Sequence, residues 1–374
     1  MHKFTRNLLT EWRRLDLPFA GAAFIVAISG GADSVSLALA LNELRNKKKL
    51  NLHFVLAHFN HNLRGEESVE DERFVKELAE KLEFELAVGI QHSESKIENQ
   101  EGNLEQNARL ARYEFLTETA KNLDADGILT AHTLNDQAET FLLNLIRGSG
   151  LDGLGGMKPI RIQNSDDESR IQNLELDNES KIQNLKSKIR LVRPLLRWAK
   201  REDTEIFCLL NEIEFRYDSM NEDLAFRRVR IRKVLLPLLK DFNPKIVETL
   251  GKTAALLREN AESLTQFLNS DAAVGDTESE TETFSSKDGQ DETVEVLLVK
   301  DLMNVFPSMR RFIVREWLKN KRGDLRRLSA KHFEAVENLI LSRKSGNTIE
   351  LPGGEIVVKK DGKLFYGKTT VEKN

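Results

Sequence analysis

The sequence predicts an α/β protein: a parallel-sheet domain, then a helical domain, then a small α+β C-terminal domain. Three observations carry that prediction. Apolar, β-branched runs alternate with helical patterns over the first 150 residues or so, the signature of strands and crossover helices in a parallel sheet. Arg201 to Leu268 reads as continuous helix, with "LLPLLKDF" and "LGKTAALLRENAESLTQFL". The end, "NTIELPGGEIVVKKDGKLFYG", places short strands between Pro-Gly-Gly and Asp-Gly turns. At 374 residues the chain exceeds what one core holds.

The elements follow in order. "FIVAISGGADSVSLALAL" (Phe24–Leu41) opens as an uncharged strand, breaks at two glycines and resumes with helical spacing at Val35, Leu37, Ala38, Leu39 and Leu41. "LHFVLAHF" (Leu52–Phe59) is a second strand. Glu66–Leu82 is a helix with Phe74, Leu78 and Leu82 inward, and Phe84–Ile90 is a third strand. Leu104–Leu123 is a long helix, Gly127–His132 a fourth strand and Asn135–Arg147 another helix. In such sheets ligands sit beyond the carboxyl ends of the strands. The Gly30–Gly31 loop, "HFNH" and His132 all fall there, so they are expected to line one cleft.

Two stretches break the pattern. Gln163–Lys188 holds "RIQN", "RIQN" and "KIQN", starting at Arg161, Arg170 and Lys181, amid acidic and amide residues; it reads as a duplicated, disordered surface insertion. Ser270–Glu292 is acidic and Ser/Thr-rich and reads as a linker. The expected divisions are residues 1–200 (163–188 the insertion), 201–269, a linker at 270–294, and 295–374.

Composition narrows the function. A net charge of −4 gives no global nucleic-acid signal, so such a partner must be held by local basic clusters. One cysteine, Cys208, excludes an intramolecular disulfide framework, a cysteine zinc site and a CxxC pair, and fits a reducing, cytoplasmic setting. The uncharged run Leu17–Ala32 follows Arg13 and Arg14 as a signal sequence would. It is too short to span a bilayer and ends in the glycine loop, so it reads as a turn plus a buried strand, and no membrane span is expected.

The loop Ser29–Ser34 (Ser29, Gly30, Gly31, Ala32, Asp33, Ser34) is the first candidate for chemistry. It lacks the lysine of a Walker A loop, yet backbone N–H groups and the hydroxyls of Ser29, Ser34 and Ser36 suit a pyrophosphate. Asp33 could hold the Mg²⁺ that comes with phosphates, or could cap the helix. "GSGLDG" (Gly148–Gly153) follows a helix rather than a strand and fails as a dinucleotide motif; "GKT" (Gly251–Thr253) reads as ordinary helix. "HFNHNLRGEES" places His58, Asn60, His61 and Arg64 after the second strand, for substrate contacts or structural hydrogen bonds rather than a metal. Glu105, Arg109 and Arg112 stand at helical spacing, suited to phosphate or carboxylate, or to a solvated face. Asp136 and Glu139 open a helix, where they suit an ammonium group, Mg²⁺ or simply the helix dipole. "RRVRIRK" puts five cations, Arg227, Arg228, Arg230, Arg232 and Lys233, into seven residues. It reads as a phosphate-backbone contact or a charged helix face.

"SGGADS", "HFNHNLRGEES", "ARLARYEF", "TAHTLNDQAET", "LIRGSGLDGLGGM", "RPLL" and "DSMNEDLAFRRVRIRKVLLPLL", in this order, resemble the N-type ATP pyrophosphatases of the PP-loop superfamily. Within them they resemble the bacterial tRNA(Ile)-lysidine synthetases. The resemblance is close over Phe24–Pro159, good through the helical middle and weaker after Glu295. Asn135 replaces an aspartate and Val229 an asparagine of the family pattern.

The resemblance implies ATP and Mg²⁺ as cofactors, and CAU-anticodon tRNA(Ile) and free L-lysine as partners, with a homodimer left open. It implies that ATP adenylates the wobble cytidine at its position-2 carbonyl oxygen and that lysine then displaces AMP. Ser29–Ser34 would hold the ATP phosphates and Asp33 the metal. Asp33, Arg112 and His132 would be catalytic, and Asp136, Glu139 and Arg109 would take lysine. Arg227, Arg228, Arg230, Arg232 and Lys233 would meet the tRNA. Thiolation and amidation by relatives of the same superfamily are the competing enzyme readings, and a tRNA- or nucleotide-binding protein without turnover is the other class.

Overall fold

The computed structural model describes residues 1–61, 65–90, 104–163, 189–216, 223–268, 281–285, 291–323, 325 and 327–368. They form two compact units, Met1–Ala261 and Glu262–Asn374.

The first unit is built on a six-stranded sheet, β1 (Ala20–Ala27), β2 (Asn51–Asn60), β3 (Glu85–Ile90), β4 (Gly127–Leu129), β5 (Ile160–Gln163) and β6 (Ile189–Val192), in the order β3-β2-β1-β4-β6-β5. All neighbours are parallel except β5, which pairs antiparallel with β6 at the edge. The expected parallel sheet is present; the edge pair β5–β6 went unread because it flanks the Gln163–Lys188 stretch. Residues 164–188 of that stretch lie outside the described residues. The direction of strand succession reverses beside β1, between β2 on one side and β4 on the other. An open α/β sheet has its crevice at such a point, and the glycine loop after β1 and His132 after β4 both emerge there.

Helices cover both faces. On one side, α1 (Lys3–Arg14) buries Phe4, Leu8, Leu9 and Trp12 with α2 (Ala32–Asn46), and α3 (Glu66–Lys81) adds Val75 and Leu78. On the other, α4 (Leu104–Asn122) packs Leu116 and Ala120 against Ile25, Val55 and Ile128. α2 is buried almost all round rather than on one stripe. The reason is the helix Arg201–Leu210, whose Phe207 and Cys208 share its core. The sequence reading divides the chain at 200/201; here the compact unit continues to Ala261. The helix Ile246–Leu268 reaches α5 (Leu134–Ile146) through Val247 and Ala254. Gly251 makes that approach possible, since a Cβ there would stand 2.4 Å from Leu134 Cδ1. "GKT" is thus mid-helix. "GSGLDG" follows α5 and carries the single turn α6 (Leu151–Leu154). Asn144 Nδ2 donates to Gly153 O at 2.6 Å, and just beyond the run Gln137 holds Gly155 O and Met157 N, so the turn is braced onto α5.

In the second unit, β7 (Thr281–Ser285) and β8 (Asp291–Glu295) pair as a hairpin within the stretch read as a linker. An antiparallel sheet of β9 (Leu297–Leu298), β10 (Asn347–Leu351), β11 (Glu355–Lys360) and β12 (Lys363–Lys368), in the order β10-β11-β12-β9, packs on the helices Pro307–Arg322 and Ala330–Leu341. Its core holds Val314, Trp317, Leu318, Val336, Leu339, Val357 and Leu364.

Candidate active site

Three helix N-termini converge at the crevice. α2 begins at Ala32 and carries Asp33 in its first turn. α5 begins at Leu134, and the third helix begins at Arg201. Leu134 N donates to Ala199 O at 2.8 Å, and Arg201 N donates to Asn135 Oδ1 at 3.1 Å, tying the last two starts together. Asn135 therefore has a positioning contact that its amide oxygen serves as well as a carboxylate would. Thr204 Oγ1 stands 2.6 Å from Asp33 Oδ1 and joins the third helix to the first. First-turn N–H groups lack intrahelical acceptors and carry the positive end of the helix dipole. Convergent N-termini are an anion site made from backbone.

The loop before α2 shows why glycine is needed. Gly30 has φ +86°, a conformation L side chains rarely adopt. Ser29 N–H donates to Ser34 Oγ at 3.2 Å, while Ser34 Oγ donates to Gly31 O at 2.9 Å. Ser36 Oγ donates to Asp33 O at 2.8 Å and is fully buried. The Ser34 and Ser36 hydroxyls are braces inside the loop; of the three serines read as hydroxyl donors, Ser29 is the exposed one. From below, His58 Nδ1–H donates to Ile28 O at 3.0 Å. That buried contact gives His58 a structural hydrogen bond, and burial holds its pKa below the usual value. Arg64 lies outside the described residues, as does the side chain of Glu105.

Asp136 and Glu139 face the same space from α5. Asp136 Oδ2 accepts from Thr133 N at 2.8 Å and from Thr133 Oγ1 at 2.9 Å, so it closes the helix start. Its Oδ1 accepts from Arg228 Nη2 at 3.0 Å. Glu139, with no exposed surface, accepts from Arg228 Nε at 2.8 Å and from Arg232 Nε at 2.7 Å. Arg201 lies among three carboxylates, 3.9 Å from Asp33, 3.8 Å from Asp136 and 3.6 Å from Glu139.

The two aspartates titrate in opposite directions. Asp33 is raised to about 6, first by burial and then by the negative charge of Asp136. Asp136 is held low although burial opposes it, because Arg228 and Arg201 favour its charge and Thr133 N–H donates to it. His132, with Nδ1 2.9 Å from Thr130 Oγ1, is kept neutral by burial and by surrounding guanidiniums. It can therefore offer a hydrogen bond, but not a positive charge. Arg112 is half-buried and has no hydrogen bond or ion pair among the described residues, while its charge reaches His58. Arg109 is exposed and lies over the Tyr113 ring at 5.1 Å.

The five cations expected on one surface are divided by the structure. Val229 and Ile231 are buried, so alternate residues turn to the core. Arg228 and Arg232, four apart across the junction of the helix Arg227–Arg230 and the π-turn Ile231–Leu235, face Glu139. Arg227, Arg230 and Lys233 are exposed. Arg228 and Arg232, read with the other three as a phosphate-backbone contact or a charged helix face, hold the site's carboxylates in the structure.

Sequence reading missed Arg201 and Thr204. A signal was available for the first, since a cation at the first position of a helix opposes the dipole and calls for an outside anion.

Comparison with known proteins agrees with this architecture. A family model described as PP-loop domain matches residues 3–239, and one described as TilS substrate binding domain matches residues 297–365. The chain belongs to the PP-loop domain family. It is 31% identical over 351 residues to a tRNA(Ile)-lysidine synthase of Geobacter sulfurreducens, covering 93% of this chain and 65% of the relative. To one of Dehalococcoides mccartyi it is 30% identical over 342 residues, covering 91% and 65%. The chain thus spans just under two thirds of the length of these relatives. Among solved structures, the U34-tRNA thiolase NcsA from Methanococcus maripaludis with its [4Fe-4S] cluster superimposes with a TM-score of 0.52 at 16% identity. That match covers 68% of this chain and 79% of the other and concerns the fold alone. Among the described residues, no helix is long and apolar enough to cross a membrane.

Proposed function

We propose that the protein joins lysine to the position-2 carbon of the wobble cytidine of a CAU-anticodon tRNA(Ile), using ATP. The observation that carries this reading is the placing of three carboxylates of two kinds in one crevice. One, Asp33, sits at a phosphate-type loop with a guanidinium no nearer than 3.9 Å; the others, Asp136 and Glu139, take direct hydrogen bonds from guanidiniums next door. The names of the lysidine synthases that the chain resembles over more than nine tenths of its length support tRNA(Ile) as the substrate and lysidine as the product.

In this reading the backbone of Ser29–Ser34 and the convergent helix starts take the ATP phosphates. Asp33 fits a Mg²⁺ brought in by those phosphates: a carboxylate raised by burial and by a neighbouring anion gains most from a divalent cation. That ion would supply charge neutralisation on the phosphates. The cytidine oxygen forms a bond to the α-phosphorus and pyrophosphate leaves. A lysine amine then forms the C–N bond at position 2, and the C–O bond to AMP breaks. Lysine has two amines, so Asp136 and Glu139 can hold one as ammonium while the other attacks. The ammonium takes its place among guanidiniums that already show what these carboxylates bind. Arg112, half-buried at the crevice, stabilises phosphate charge, and neutral His132 donates to an oxyanion. Arg109, at the rim, reaches the lysine carboxylate. Arg227, Arg230 and Lys233 meet the tRNA backbone.

Sulfur transfer is disfavoured by a specific observation. Cys208 is fully buried, its Sγ lies 3.5 Å from Ala32 O, and burial pushes its thiol up to about 12.

The test is incubation of a CAU-anticodon tRNA(Ile) transcript with ATP, Mg²⁺ and lysine, then nucleoside mass spectrometry. A cytidine heavier by lysine minus water, formed only with ATP, is the expected result. ATP cleavage to AMP with no modified cytidine would replace lysine with another nucleophile, and neither product would leave a binding protein.

A further inference from the structure

One arginine that neither the sequence motifs nor the proposed chemistry absorbs stands directly over the glycine loop. Arg216 N–H donates to Gly30 O at 2.9 Å. Its stem covers the same glycine: a Cβ on Gly30 would lie 3.4 Å from Arg216 Cγ, with Phe74 of α3 equally close. A Cβ on Gly31 would lie 3.9 Å from Arg216 O. The guanidinium turns the other way, to α3, where Nε meets Asp71 Oδ1 at 2.9 Å and Nη2 meets Glu70 Oε2 at 2.7 Å. α3 is in turn tied to the end of β2, since Asn60 Nδ2 donates to Glu72 Oε2 at 3.0 Å and to Ser68 O at 3.2 Å.

The geometry of the peptide bond gives this contact a consequence. In a trans peptide the C=O and the following N–H point in opposite directions. Holding Gly30 O toward Arg216 therefore fixes Gly31 N–H on the opposite side. Gly30, at φ +86°, has wide backbone freedom of its own, so the direction of that N–H needs an external hold. The two carboxylates of α3 supply it by anchoring the side chain whose backbone grips the loop.

We propose that Arg216 is a positioning residue for nucleotide binding: anchored on Glu70 and Asp71 of α3, it fixes the Gly30–Gly31 peptide so that Gly31 N–H is pre-aimed at a phosphate. This rests on reading Ser29–Ser34 as the ATP phosphate loop. An exposed ion pair by itself stabilises little. Its role here is orientation, which appears in nucleotide affinity rather than in melting temperature.

The experiment is calorimetric titration of the full chain with Mg·ATP, for wild type, Arg216→Ala, Arg216→Lys, and the pair Glu70→Gln with Asp71→Asn, together with KM for ATP and for lysine. Arg216→Ala is expected to weaken ATP binding by roughly tenfold, the worth of one charge-assisted hydrogen bond. Melting temperature and KM for lysine stay unchanged, and Arg216→Lys restores part of the loss. The Glu70/Asp71 pair weakens ATP by the same factor, and combining it with Arg216→Ala adds nothing. If the guanidinium instead bound phosphate itself, freeing it from its two carboxylates would tighten ATP, and that result overturns the proposal. Unchanged ATP affinity in Arg216→Ala overturns it too, while leaving the ATP reading intact. A folded wild type that binds no ATP would overturn that reading and this role with it.

Discussion

The first turns of α2 and α5 each bring an aspartate to the same crevice, and the two are opposites. Asp33 has one hydroxyl at hydrogen-bond distance and a guanidinium no nearer than 3.9 Å, and its pKa is raised to about 6. Asp136 has two donors from Thr133 and one from Arg228, and it is held low. Burial disfavours charge in both; what differs is the supply of cations and donors. The contrast supports the roles proposed above: the carboxylate with fewer cations around it is the one that would gain from a metal ion, and the one already among cations would serve as a fixed anion for an ammonium.

Substitutions can break that comparison at several points. The largest effect is expected from Asp33→Asn. If Asp33 holds the metal as proposed, its loss should lower tRNA-dependent ATP cleavage by roughly a thousandfold, the range of a displaced metal ion. The same change should raise stability near neutral pH. A carboxyl whose folded pKa is raised adds stability below its unfolded value, near 4, and loses it as pH rises through about 6. An asparagine at this position has no such loss, so melting curves of the two proteins should coincide near pH 4 and separate above pH 6, the variant melting higher.

Next is Glu139→Gln. It leaves Arg228 and Arg232 short of their buried partner and should cost about 3 kcal/mol, the low end for a broken buried pair because both arginines keep some solvent. Chemical denaturation measures it, and KM for lysine should rise with it.

In wild type, lowering pH through about 6 protonates Asp33. Affinity for Mg·ATP should then fall about tenfold per unit well below that point, while affinity for a metal-free nucleotide changes less.

Charge reversal of Arg227, Arg230 and Lys233 should weaken tRNA binding and flatten its salt dependence by roughly 0.7–0.9 per cation removed, with ATP binding retained. Reversing Arg228 or Arg232 should instead disturb the carboxylate site and stability. Equal effects from the two groups would erase the division the structure draws between them.

The smallest effect is expected for Ser36→Ala. It removes a hydrogen bond within the first turns of α2, costs about 1 kcal/mol, and leaves KM for ATP as it was.

Much of this was legible in the sequence, for definite reasons. The period change around Gly30–Gly31 marked a strand, a turn and a helix, and the alternation after it marked a parallel sheet. Asp33, His132, Asp136 and Glu139 were found because each follows a strand end or opens a helix. What sequence order could not convey was contact across long separations. Arg201 lies 168 positions beyond Asp33 and Arg228 lies 92 beyond Asp136. The basic run "RRVRIRK" looked uniform, yet its two buried neighbours and its helical phase send Arg228 and Arg232 inward. The serines of the loop looked equivalent as well, and only backbone geometry separates Ser29 from the two that brace the turn.

The most direct measurement of the account separates the two half-reactions. With tRNA, ATP and Mg²⁺ but no lysine, pyrophosphate release in a single turnover reports adenylation alone. The account predicts that Glu139→Gln keeps this burst while losing lysine transfer, and that Asp33→Asn loses both. Loss of the burst in both variants, with each folded and binding tRNA, would contradict the division of the crevice into a metal carboxylate and an ammonium carboxylate.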